Sequence, residues 1–254
     1  MTNSDSDNSR IRWAKLAGFM YLYVDVAYGL GVTIANRLEV PGNFVETAHR
    51  IVGAELLYRI GLSSMLVGSL CTVFLAMGLY VTLKPINRNL ALLALLFRMV
   101  EATIFGIECL FSFIVLRAFM GSDSLHALGA NQPSLLMNLR SAVYADAFTI
   151  AGLFFSMGSV LFFYLFARSS YIPKVLSILG LVSSALVTVT CLASLVFPHP
   201  ARLLELGWAP IAVAEFLVGL WLMLKGVNLQ PRELKRTHLH SSDRMHGSLA
   251  GRPS

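Results

Sequence analysis

Three charged residues interrupt one long apolar stretch of the chain. Arg98, Glu101 and Glu108 lie between positions 90 and 120, where most other side chains are apolar. Together with Phe105 they recur at spacings of three, four and three, so they share one face of a helix. The stretch is long enough to cross a bilayer, and a charge near the bilayer centre costs roughly 2.5 to 3.5 kcal/mol. We therefore expect this face to meet polar partners inside a helical bundle rather than lipid.

Further acidic residues are predicted at the same depth. Asp25, Arg98 and Glu215 each lie ten residues from a basic residue at one end of their own apolar segment. At about 1.5 Å per helical residue this is about 15 Å, close to the middle of a hydrocarbon core about 30 Å thick. Glu101 lies one helical turn further along, whereas Glu108 is expected near the opposite interface, as an ordinary interfacial residue.

The charges at the midplane do not balance. The guanidinium of Arg98 can bind one carboxylate through two hydrogen bonds, but it cannot neutralise three. At least one of Asp25, Glu101 and Glu215 is therefore expected to be neutralised by a proton, by water or by something outside the chain. Tyr21 and Tyr28 flank Asp25 on its own helical face and could donate hydrogen bonds. The predicted ligand-binding residues are thus Asp25, Arg98, Glu101, Glu215, Tyr21 and Tyr28.

Two interpretations of this cluster stay open at this stage. In the first, it forms a pocket that binds or transports a small cation, a proton, or an amine-bearing or lipid-like molecule. In the second, the protein is structural or regulatory, and the buried charges only fix the packing of the helices.

A third interpretation is a metal-dependent membrane enzyme that uses histidines in the loops. His49, His126 and His199 fall in three different loops and could bind zinc with nearby carboxylates such as Glu46, Glu55 or Asp123. No HExxH or similar local spacing supports such a centre. The sequence therefore predicts no catalytic residue, no metal site and no cofactor.

The elements that must position these residues are membrane-spanning helices. Of the 254 residues, 56% are hydrophobic and only 13% are charged, whereas a soluble domain has about 25% charged residues. Mean hydropathy is +0.68. Each apolar segment must be a helix, because lipid does not tolerate unpaired backbone polar groups. Six segments of spanning length are predicted at about 13–35, 60–83, 90–120, 141–167, 175–197 and 208–224.

The basic residues predict orientation rather than nucleic-acid binding. Thirteen of the 20 Lys and Arg residues flank the span ends on the side of both termini, six flank the opposite ends, and Arg98 lies within a span. Short loops rich in Lys and Arg face the cytoplasm, so both termini are expected there. The predicted organisation is a disordered N-terminus over 1–12, a six-helix domain over 13–227 and a disordered basic tail over 228–254. The tail could attract anionic lipid. The sequence does not predict an oligomeric state.

Two further patterns concern packing. Residues 43–59 predict a short amphipathic helix that lies on the surface and runs into the second span, because Asn43 and Glu46 have the spacing of a capping box. Small residues recur every four positions on the second span and again on the fifth, a pattern that lets helices approach closely in lipid. The residues are Ser64, Gly68, Thr72 and Ala76, then Gly180, Ser184 and Thr188.

Several stretches resemble a known family. They are LAGFMYLYVDVAYG (16–29), LYVTLKPINRNLALLALLFRMVEATI (79–104), ARSSYIPKVLSILGLV (167–182) and LVGLWLMLKGVN (217–228). The sequence is similar to the bacterial membrane-protein family called domain of unknown function 4386, over about residues 12–228. The resemblance implies a multi-pass protein of a bacterial inner membrane, and it implies no activity and no site residue.

Overall fold

The protein is all-helical and has six candidate membrane spans. The computed structural model describes residues 3–40, 42–120, 132–197 and 201–229, which contain seven helices and no strand. Every helix except α2 is long and apolar enough to cross a membrane. The helices are α1 (Asn3–Leu38), α2 (Phe44–Gly53), α3 (Glu55–Leu83), α4 (Arg88–Met120), α5 (Gln132–Ser169), α6 (Lys174–Val196) and α7 (Ala201–Lys225).

The six predicted spans are confirmed, although several helices are longer than the apolar segments. Helix α1 begins at Asn3, ten residues before the predicted span, and α5 begins at Gln132, nine residues before its own. The 36 residues of α1 reach about 54 Å at 1.5 Å per residue, well beyond a core of about 30 Å. Of the predicted tail, only Asn228 and Leu229 belong to the described residues.

The spans form a closed ring. Each span packs mainly against two others, in the order α1, α3, α4, α5, α6, α7 and back to α1. We call the surface at which α1 begins and α7 ends the terminal face, and the opposite surface the distal face. A ring of six helices leaves a central space, and what fills that space differs between the two faces.

Small residues bring neighbouring spans together, as predicted. On α3, Gly68 faces Tyr28 and Ala27 of α1, and the Ser64 hydroxyl donates to the Ala27 carbonyl at 3.0 Å. On α6, the Thr188 hydroxyl donates to Ser156 of α5 at 2.9 Å. These contacts replace the hydrophobic driving force that two helices lack in lipid.

The terminal face is closed by the stretches that carry the family resemblance. Tyr171, in the loop between α5 and α6, is 2% exposed, and its carbonyl accepts from the Asn228 amide at 3.0 Å. Two sharp turns make this contact: Ser170 has φ 57° and Gly226 has φ 68°, a region that glycine adopts without strain and other residues rarely adopt. The loop and the segment after α7 are thereby held together.

Two apolar clusters fill the ends of the ring. The larger cluster lies towards the terminal face and includes Ala17, Leu79, Phe162 and Leu222. The smaller cluster lies towards the distal face. The charged residues of α4 lie between them.

Helix α2 lies at the distal face and forms part of the smaller cluster. The Asn43 side chain accepts from the Glu46 amide at 3.0 Å, which confirms the predicted cap. Ile51 is 1% exposed and belongs to the smaller cluster. The predicted short helix before the second span is confirmed, and a single residue that leaves helical geometry, Ala54 (φ −124°, ψ 38°), separates it from α3.

Candidate functional site: a charged cavity within the ring

The charged face of α4 points into the ring. Arg98, Glu101, Phe105 and Glu108 are all buried, at 7% exposure or less. This is the arrangement that their spacing predicts, because residues three and four apart share one side of a helix.

Arg98 is paired incompletely. Its Nε atom lies 3.1 Å from Oε2 of Glu101, but the two atoms are not aligned for a hydrogen bond, since Oε2 has no hydrogen-bond partner among the described residues. Nη1 of Arg98 has none there either. The guanidinium lies over the Phe155 ring of α5 at 4.7 Å, a distance typical of a cation–π contact.

The other two acids approach from the opposite side of the ring. Glu215 of α7 is 6% exposed, and its Oε1 accepts from the Ser159 hydroxyl of α5 at 3.4 Å. Asp25 of α1 is partly exposed. Both interact electrostatically with Arg98, and Asp25 also interacts with Glu215. The four charges therefore form one cluster contributed by α1, α4 and α7.

These side chains line one cavity of about 400 Å³, a volume typical of small-molecule sites. Its charged lining consists of Asp25, Arg98, Glu101 and Glu215, so three carboxylates face one guanidinium. The remaining lining residues are Val24, Tyr28, Val32, Met65, Phe105, Tyr144, Phe148, Phe155, Trp208, Ile211, Ala212 and Phe216.

The structure places five of the six predicted ligand-binding residues on this cavity. Tyr28 lines it, and its hydroxyl forms a hydrogen bond with Ser69 at 2.8 Å. Tyr21 does not line it: this residue is 2% exposed and packs in the larger apolar cluster towards the terminal face. It lies one turn closer to the terminal face than Asp25, at a level where apolar side chains fill the ring.

The aromatic wall of the cavity was not predicted. Tyr144, Phe148 and Phe155 come from α5, and the Phe148 ring packs in a tilted orientation against Trp208 of α7, with ring centroids 4.8 Å apart. The spacing of four and seven on α5 was the available signal, because it places the three rings on one helical face. The indole Nε1 of Trp208 is buried and has no hydrogen-bond partner among the described residues.

The expectation that Glu108 is an ordinary interfacial residue is wrong. It is 2% exposed, and its Oε1 accepts from Ser112 at 2.7 Å. It lines a second, smaller cavity of about 50 Å³ towards the distal face, together with Glu39, Tyr58, Arg140 and Tyr144. Asp146, six residues beyond Arg140 on α5, is exposed.

The alternative of a histidine metal centre falls mostly outside the described residues. His49 is exposed on α2, whereas His126 and His199 lie outside the described residues. Within the described ranges, no group of three or more His, Cys, Asp or Glu side chains is arranged to hold a metal ion.

Six long apolar helices around a largely apolar cavity that holds four charged side chains define a multi-pass membrane protein with a lipid environment. A family model described as a domain of unknown function (DUF4386) matches residues 16–226, and the chain belongs to that family. No curated protein and no solved structure matches the chain.

Proposed function

We propose that this protein binds a small amphipathic cation, an amine carried on an apolar body, in the midplane cavity. The observation that supports this most directly is the composition of the cavity wall: three carboxylates, one guanidinium and a surrounding set of aromatic rings. Transport of the same ligand is the natural use of such a site in a membrane, since intramembrane acids commonly mark substrate or ion pathways.

The charge of the ligand follows from the surplus of acid. Among the described residues the only ion pair at the cavity is between Arg98 and Glu101, so Asp25 and Glu215 retain no cationic partner from the chain at that distance. Buried carboxylates favour a partner that carries positive charge and donates hydrogen bonds. An ammonium group meets both requirements.

The apolar body of the ligand follows from the walls. Phe105, Phe148, Phe155 and Trp208 surround the charges, and aromatic rings bind organic cations through their faces. A bare metal ion would leave most of the 400 Å³ unfilled. An amine with one aromatic or branched aliphatic group matches both the volume and the lining.

The structural interpretation has some support of its own. Arg98 on Phe155 links α4 to α5, and Ser159 with Glu215 links α5 to α7. However, the ion pair itself joins two residues of the same helix, and it therefore does not fix which helices are neighbours. A purely structural cluster would also be expected to fill its own cavity.

We infer from the excess of Lys and Arg at the terminal face that both termini lie in the cytoplasm. The basic tail would then face the anionic leaflet of the plasma membrane. Fusion of a reporter that is active only in the cytoplasm should give signal at both termini. Signal from a C-terminal reporter that works only outside the cytoplasm would contradict this orientation.

Binding is best tested with ligands that share one apolar body. Benzylamine, benzyl alcohol and benzoate differ in charge at nearly constant size. We expect the amine to bind the purified protein in nanodiscs, and the alcohol to bind at least about tenfold more weakly, which corresponds to about 1.4 kcal/mol. Benzoate should not bind. Calorimetric titration gives the three dissociation constants.

Glu215→Gln is the matched variant, because the amide oxygen can still accept from Ser159 while the negative charge is lost. We expect it to weaken amine binding at least about tenfold. Asp146→Asn is the control, since this exposed carboxyl lies outside the cavity. Equal binding of amine and alcohol, or equal affinity of wild-type protein and Glu215→Gln, would rule out the proposed site.

A further inference from the structure

The second cavity lies between the midplane and the distal face. It has a volume of about 50 Å³, and α1, α3, α4 and α5 contribute its walls. Its charged lining consists of Glu39, Glu108 and Arg140. These residues are not part of the proposed amine site, so amine binding does not explain why charged side chains line this second cavity.

The polar atoms of this cavity are only partly paired. Nη1 of Arg140 lies 2.5 Å from Oε1 of Glu39, and its guanidinium lies 5.6 Å from the centre of the Tyr58 ring. Nε of Arg140, Oε2 of Glu108 and the Tyr58 hydroxyl are all buried, and none has a hydrogen-bond partner among the described residues. Each unpaired buried group costs about 1–3 kcal/mol, so three around one space call for a partner beyond the described residues.

Water fits the space and the chemistry. A water molecule needs about 10–15 Å³ of cavity volume measured at its centre, and it needs two to four polar partners. A volume of about 50 Å³ therefore accommodates about three water molecules. The unpaired guanidinium N–H, carboxylate oxygen and phenol offer both donors and acceptors to such a cluster.

The second cavity lies between the distal surface and the larger cavity and shares lining residues with the latter. At its distal end, Asn36 is exposed and the Glu39 side chain is 32% exposed. At its inner end, Val32, Met65 and Tyr144 line this cavity and the larger one alike. Polar groups therefore follow one another from the distal surface to the midplane acids.

We propose that the second cavity is a hydrated passage through which water and protons reach the midplane carboxylates from the distal face. The proposal goes beyond amine binding and does not depend on it, because hydration of the passage requires no ligand. It assigns Arg140, Glu108 and Tyr58 as the groups that hold the water. It also explains how charged carboxylates can exist at this depth, since water reaches them from one side.

Hydroxyl-radical footprinting of the protein in nanodiscs tests this directly, because radicals formed from bound water oxidise the side chains beside it. Tyr58 and Tyr171 are equally buried, at 2% exposure, and Tyr58 alone lines the passage. Met65 and Met137 give a second matched pair, at 5% and 1% exposure, and Met137 lies in the smaller apolar cluster. We expect Tyr58 and Met65 to be oxidised at least tenfold faster than Tyr171 and Met137. Equal and slow oxidation of Tyr58 and Tyr171 would overturn the proposal.

A bulky side chain in the wall provides the second arm of the experiment. Val32→Phe should fill the junction of the two cavities and slow the oxidation of Met65 severalfold. Leu30→Phe adds a phenyl group at an exposed position of the same helix, at 46% exposure, and should leave it unchanged. If Val32→Phe does not yield folded protein, Val32→Leu gives the same comparison with less added volume. Equal rates in the two variants would show that the water does not occupy the passage.

Discussion

The two halves of the ring use the same helices in opposite ways. Towards the terminal face, Gly18 of α1 packs against Gly219 and Met223 of α7, and Gly78 of α3 packs against Trp13 and Ala17 on another side of α1. Towards the distal face, aromatic and charged side chains stand between the helices and leave two cavities. The residues at the helix contacts, rather than the helices themselves, decide where the ring closes and where it stays open.

The polar atoms show the same division. Six buried side-chain nitrogen or oxygen atoms have no hydrogen-bond partner among the described residues, and all six belong to residues that line one of the two cavities: Tyr58, Arg98, Glu101, Glu108, Arg140 and Trp208. At the terminal face, by contrast, the buried Tyr171 has both its carbonyl and its hydroxyl in hydrogen bonds. Unpaired polar groups are costly, and their confinement to the cavities is what a binding site and a water path would require.

The largest expected effect is on the closed half. A Cβ atom at Gly18 would lie 2.7 Å from the Gly219 carbonyl oxygen and closer still to the Met223 backbone nitrogen. Backbone atoms cannot move aside as a side-chain tip can, so Gly18→Ala should lower the free energy of unfolding by about 3 kcal/mol. Thermal unfolding of the purified protein in detergent measures the change.

Gly29→Ala is the matched control for that substitution. It makes the same change on the same helix, at a position where no described atom outside the local helix backbone would lie within 4 Å of the new Cβ. Because alanine is the better helix former, stability should be unchanged or should rise by up to about 1 kcal/mol. If the two variants lose stability equally, the loss does not arise from the close contact between Gly18 and α7.

The charged residues of the ring could be predicted from the sequence better than its other residues, for a physical reason. A charge in an apolar segment has a known cost and a depth that can be counted, so Asp25, Arg98, Glu101 and Glu215 could be assigned to one level and are found around one cavity. Glu108 was misjudged because counting gives depth but not burial. Its helical face continues that of Glu101 into the bundle, and α5 supplies Arg140 nearby.

Apolar residues carry less positional information in a membrane helix. Lipid and protein interior are equally apolar, so the sequence does not distinguish a phenylalanine that faces lipid from one that faces a cavity. Phe216, at 50% exposure, and Phe155, at 6%, both line the main cavity. For Tyr21, the spacing from Asp25 predicts the correct face of α1 but not the position along the ring axis. Tyr21 lies one turn from Asp25, in the closed half, and therefore does not reach the cavity.

The smallest expected effect compares two tyrosines that differ in their hydrogen bonds and not in their burial. The Tyr171 hydroxyl accepts from Arg10 at 3.3 Å, so Tyr171→Phe should lower the free energy of unfolding by about 1 kcal/mol.

The Tyr58 hydroxyl has no partner among the described residues. If water occupies the passage, the water that bonds to the Tyr58 hydroxyl can bond to other water in Tyr58→Phe. The free energy of unfolding should then change by less than about 0.5 kcal/mol. If the passage is dry, removal of an unpaired buried hydroxyl should instead raise stability by about 1–3 kcal/mol. Unfolding measured on both variants therefore separates a distal half that is open and wet from one that is merely poorly packed.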